Sequence, residues 1–184
     1  MAFDSVASAK RHVRISVRAV VAGALVELAL IGLVLTLARS LGWSFVSAEQ
    51  RLGAASVVFG IAAWTAGALA GGYAAAVVSR SVDRRDGIAH GVVTWATALL
   101  GAGIASRLWV VLALEVGLVD LDTVRAFATP RTMLALFLAE FLALVAAVVG
   151  AIAGSRAERS RELGPRAAEV GVEWRPSDQP QPAP

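Results

Sequence analysis

The chain has 184 residues, of which 57% are hydrophobic and 17% charged, and it carries a net charge of +3. A soluble domain is less apolar and about a quarter charged, so this balance argues against a soluble fold and against a nucleic-acid-binding module. The lack of any cysteine excludes disulfides, thiolate catalysis and Cys-ligated metals. The charges that remain gather at the ends of long uncharged runs, as expected of a chain dissolved in lipid.

Residues 1–18 form a basic arm with Lys10, Arg11, Arg14 and Arg18. Residues 19–38, "AVVAGALVELALIGLVLTLA", are the first of four runs long enough to cross a bilayer, which takes about 20 apolar residues. The basic lead also fits a secretory signal. The run is too long for one, however, and no small-x-small cleavage site follows, so it reads as a retained span. In the next connection Trp43 and Phe45 fall at head-group depth, and Ser47 and Gln50 have capping-box spacing. The second span covers residues 56–78. A short basic turn over 79–87, with Arg80, Arg84 and Arg85, leads into the third span at 88–114. The segment "EVGLVDLDTVRAFATP" predicts an interfacial amphipathic helix at 118–128, closed by Pro130. The fourth span covers 132–153. Residues 156–184, whose last twenty hold five of the six prolines, read as a disordered tail.

The expected fold is therefore all-α: a polytopic four-transmembrane-helix bundle over residues 19–155, with no soluble domain. Twelve of the seventeen Lys and Arg residues lie in the arm, the middle turn and the tail. Four crossings put those three segments on one side, so the positive-inside rule predicts both termini in the cytoplasm.

Lipid is as apolar as leucine, so membrane helices associate by close backbone approach at small residues. Gly23, Gly67, Gly71, Gly72, Gly91 and Gly150 are the expected packing positions, alongside alanines at helical spacing in the second, third and fourth spans. Three ionisable residues lie at membrane depth: Glu27, Arg107 and Glu140. A charge at a helix centre costs roughly 2.5–3.5 kcal/mol, which makes each a functional candidate. Rises counted along the spans bring Arg107 within reach of Glu140 and predict an ion pair. Asp86 is expected to cap the third helix and His90 to serve the hairpin as a hydrogen-bonding group, with Tyr73 and Trp95 near the cytoplasmic head groups. No nucleophile–base pair, metal cluster or cofactor motif accompanies them.

"RIS" at 14–16, "GGY" at 71–73, "G..HG" at 87–91 and "WA" at 95–96 resemble a group of small bacterial inner-membrane proteins labelled PhnA-like. The resemblance covers roughly residues 11–110 and is carried mainly by the hairpin. Val17-Arg18 stands where that group has Trp-Gly, and Glu27 where it has an uncharged amide. The resemblance implies a multi-span protein of the bacterial inner membrane and no substrate. The expected function is a non-enzymatic accessory, scaffold or self-associating subunit, partnered by lipid and by itself or a larger complex. The alternative is an oligomeric channel or transporter for a proton, small ion or solute, using Glu27, Arg107 and Glu140.

Overall fold

A computed structural model describes residues 14–40, 54–117 and 129–171, and these are helical apart from short turns. Four helices follow in order: α1 (Val17–Ser40), α2 (Ala54–Val78), α3 (Arg84–Glu115) and α4 (Pro130–Gly171). All four are long and apolar enough to span a membrane. The basic arm before residue 14, the connection at 41–53, the expected interfacial helix at 118–128 and the last residues from 172 lie outside the described residues.

The burial pattern is that of a protein in lipid. Alanine and glycine fill the centre, with Ala19, Ala68, Ala75, Ala76, Ala143, Ala147 and Ala151 all fully buried. Large side chains such as Leu33, Leu100, Leu108, Phe137 and Phe141 point outward. In water such a surface would be a continuous apolar patch, but in a bilayer it is ordinary solvent contact. The small residues let backbones nearly touch. A Cβ added at Gly72 would run into the Ala147 carbonyl oxygen, and one at Gly150 into the Leu69 carbonyl oxygen. α2 is the hub: it packs most extensively on α4, then on α1, and also touches α3.

The ends of the helices differ from the sequence expectation. α3 begins at Arg84, a full turn before the expected start of the span. Its cap is Asp83, whose Oδ1 accepts from the Arg85 N–H at 2.9 Å, and not Asp86. Asp83 has the extended backbone an N-cap needs, whereas Asp86 already lies within the first helical turn. α4 continues to Gly171, so residues 156–171 of the expected disordered tail are helix. Ala157, Glu158, Arg159 and Glu162 are good helix formers, and Arg161 donates to Glu158 at 2.7 Å one turn away.

α2 ends in a Schellman turn built without glycine. The Ser81 N–H donates to the Ala76 carbonyl at 3.1 Å and the Arg80 N–H to the Val77 carbonyl at 3.0 Å. Arg80 takes the left-handed position, with φ of 52°, that glycine usually occupies. His90 then ties this turn to the start of α1. Its Nε2 accepts from the Ser16 N–H at 2.9 Å, and an amide can only donate. That fixes the neutral tautomer with the proton on Nδ1, which donates to the Asp86 carbonyl at 2.7 Å. His90 is only 1% exposed, and the Ser81 hydroxyl lies 3.4 Å from Nδ1. The histidine is a buried staple joining three elements, which accounts for its place in the hairpin.

Candidate functional site: an acidic pair inside the bundle

Each helix sends one stripe inward. On α1 the buried positions are Ala19, Val20, Gly23, Ala24, Glu27, Ile31 and Ala38, recurring at helical spacing. Glu27 lies ten residues into α1, about 15 Å along the axis, and is 1% exposed. It lies against the glycines of α2. A Cβ on Gly71 would sit 2.9 Å from Glu27 Cβ and 3.2 Å from Glu27 Oε2, and one on Gly67 would sit 3.0 Å from the Glu27 carbonyl oxygen. Glycine at 67 and 71 is thus what makes room for a carboxyl between two helices. Gly23 and Gly71 approach each other reciprocally, each Cβ position under 3 Å from the other's carbonyl oxygen, and Thr94 of α3 closes the same junction, its Cγ2 2.8 Å from the Cβ position of Gly23.

Glu140 reaches the centre from α4, on the stripe with Ala143, Ala147 and Gly150. The indoles of Trp64 on α2 and Trp95 on α3 both turn toward its carboxyl. These rings also pack on the alanine cluster of Ala68, Ala143, Ala146 and Ala147. The Glu140 carboxyl is close enough for its charge to act on Glu27. Four helices therefore converge on one polar cluster in an otherwise apolar interior.

The cluster is under-satisfied. Glu27 Oε2, Thr94 Oγ1, Trp95 Nε1 and Glu140 Oε2 are buried with no hydrogen-bond partner. Native interiors pair nearly all such atoms, so four orphans in one place call for an explanation. Among the described residues no ion pair offsets them. Arg107 is exposed on the outside of α3, and no ion pair joins it to Glu140. The reason is angular. Buried Thr94 and Ala98 define the inner face of α3, and nine residues on from Ala98, at about 100° each, turn Arg107 to the opposite side. Trp95, placed by sequence at the head groups, instead faces the interior beside Glu140, eleven residues into a helix that starts earlier than expected.

Of the sequence-derived candidates, Glu27 and Glu140 come together, Gly23, Gly67 and Gly71 flank them, and Arg107 stands apart. Gly72, Gly91 and Gly150 contact neighbouring backbone elsewhere in the bundle, Gly91 with a Cβ position 2.8 Å from the Ala147 carbonyl oxygen. Asp86 and His90 belong to the staple at the turn. Trp64, Thr94 and Trp95 were not read as site residues. A tryptophan such as Trp64 in mid-span, far from either head-group layer, was the available signal. Among the described residues no three His, Cys, Asp or Glu side chains form a metal-binding group.

The fold and this cluster define the class: an all-helical chain with four helices long and apolar enough to span a membrane, enclosing a pair of acidic side chains. Comparison of the chain with protein-family models, curated proteins and solved structures found no match. The functional reading accordingly rests on the geometry.

Proposed function

We propose that the protein is a multi-pass carrier of the bacterial inner membrane, with both termini cytoplasmic, and that it moves a proton or small cation by way of Glu27 and Glu140. The observation that carries this reading is the convergence of two carboxyls from α1 and α4 with no basic partner among the described residues. Two carboxylates sharing a lipid-enclosed space repel, and each separately carries the cost of leaving water. A proton or cation between them relieves both terms, so such a pair binds one readily and holds it at membrane depth. Trp64, Trp95 and Thr94 supply donors at the same place, which can reorient as the charge state changes. The arginine distribution supports the orientation.

The test is flux in vesicles reconstituted with the purified full chain, driven by a pH gradient and by sodium or potassium gradients in turn. Intact protein is expected to dissipate one of these gradients. E27Q and E140Q are each expected to slow it at least about a hundredfold, the lower end of what a lost proton-transfer group costs. No flux from the intact protein, or flux unchanged in both variants, rejects the proposal.

A second reading, self-association as a scaffold or accessory subunit, is favoured by a different feature. Gly32 and Gly103 are exposed, and Cβ atoms at Gly32, Gly60 and Gly103 would meet nothing within 4 Å. Open small-residue patches on the lipid-facing surface allow another helix to come close. The mass of the particle in mild detergent tests this directly, since a monomer would reject it.

A further inference from the structure

At the end of the bundle that holds the α2–α3 turn there is a second feature, distinct from the acidic pair. A cavity of about 180 Å³ opens there, lined by Val82, Arg84, Ile152, Ser155, Arg156 and Arg159. The α4 residues recur at three- and four-residue spacing and so share one face, which looks onto the first residue of α3. Three arginines line the cavity and no carboxylate does. Asp86 and Glu162 lie nearby but do not line it. The Asp83 carboxylate caps α3, and Glu158 is paired with Arg161. Arg159 is held in place by a bond from its Nη2 to the Val82 carbonyl at 2.8 Å, which leaves its other N–H groups free to face the cavity. Ser155, 3% exposed, forms the floor. It fits there because Gly87 has no side chain, and a Cβ at that position would run into the Ser155 hydroxyl.

We infer that this cavity binds a phosphate group. Guanidinium forks match phosphate oxygens in geometry as well as charge, and three from two helices, Arg84 of α3 and Arg156 and Arg159 of α4, form an anion site. The volume is room for one phosphate with the beginning of its ester. The cavity lies where the bundle leaves the lipid, so the phosphate belongs either to an anionic lipid head group or to a soluble phosphate compound. This inference stands apart from the acidic pair, and either one can fail without the other.

The experiment uses the full chain and two probes. In the first arm, the protein is placed in phosphatidylcholine nanodiscs doped with phosphatidic acid, and lipid retained after extraction is counted by native mass spectrometry. In the second, inorganic phosphate is titrated against the detergent-solubilised protein by calorimetry. R84Q/R156Q is expected to lower binding of the recognised probe at least about tenfold, the effect of losing two charge-assisted contacts. R84K/R156K, which keeps the charge and loses the fork, should fall between. R14Q/R85Q removes the same charge from exposed positions that do not line the cavity, and should cost at most about twofold. Retention of phosphatidic acid alone assigns the site to lipid, and binding of inorganic phosphate assigns it to a soluble ligand. If wild-type protein binds neither probe, or the two glutamine pairs lose binding equally, the inference is overturned.

Discussion

Gly72→Ala adds one methyl group to the crossing of α2 and α4, the most extensive helix contact in the bundle. The new Cβ would strike the Ala147 carbonyl oxygen, with the carbonyl carbon 2.8 Å and the Cα 3.0 Å away, whereas ordinary contact begins at 3.4 Å. All three atoms are backbone, so no side-chain rotation relieves the clash and the helices must separate. The same crossing holds Gly150 against the Leu69 carbonyl oxygen and Gly154 against that of Tyr73, so separation loosens those contacts too. Overpacking costs roughly 1–3 kcal/mol, and a crossing that must open as a unit belongs in the upper half of that range. Alanine gains about 0.5–1 kcal/mol over glycine in a helix. The net expectation is a loss of about 1–2 kcal/mol. Gly103→Ala has the same propensity gain and no neighbour within 4 Å of the new atom, so it should stabilise by up to about 1 kcal/mol. Reversible unfolding in mixed micelles of rising SDS fraction, followed by circular dichroism, measures both. Stability at or above wild type in Gly72→Ala, or equal losses in the two variants, would refute the packing argument.

Two further outcomes follow from the turn end of the bundle. Arg80 holds a left-handed conformation, which costs a side-chain-bearing residue roughly 1 kcal/mol or more. Arg80→Gly should therefore raise the unfolding midpoint in the same assay, and a lowered midpoint would show that the arginine side chain contributes more than its backbone costs. His90→Leu leaves the Ser16 N–H without its imidazole acceptor, a loss of about 1–3 kcal/mol if that group stays buried, and removes a second bond from the Asp86 carbonyl, which keeps its intrahelical partner. Hydrogen exchange should quicken at the start of α1 and in the α2–α3 turn while the alanine-lined centre of α4 stays protected. Unchanged exchange at Ser16 would count against the staple.

The four apolar helices were legible because length and composition alone decide them. Their ends were not, because apolar runs mark where lipid is and not where hydrogen bonding stops. α3 gains its first turn from Arg84, Arg85 and Asp86, polar residues that a hydropathy reading assigns to a loop, and it starts there because Asp83 can cap it. α4 outruns the fourth apolar run for the same reason, since Arg156–Leu163 is polar and still rich in helix formers. The turn itself carried a misleading cue. Glycine usually marks the left-handed residue after a helix, and here Arg80 takes it while Gly87 and Gly91 sit inside α3, chosen for their closeness to α4.

The acidic site shows which half of a membrane position a sequence yields. Depth comes from counting rises, and it placed Glu140 and Arg107 within an arginine's reach. Azimuth needs a reference face, and α3 is too evenly apolar for hydropathy to supply one. The small residues supply it instead. Gly87, Gly91, Thr94 and Ala98 recur at three and four and are all buried, so they trace the inner face, and Arg107 falls about half a turn away from Ala98. The same rule applied to α1 places Glu27 on the line of Gly23, and applied to α4 places Glu140 on the line of Ala143 and Ala147. In a bundle whose helices meet through glycine and alanine, polar residues on the small-residue line face each other, and those off it face lipid or head groups. Two carboxyls share that line here, and the arginine that depth alone would assign to them does not.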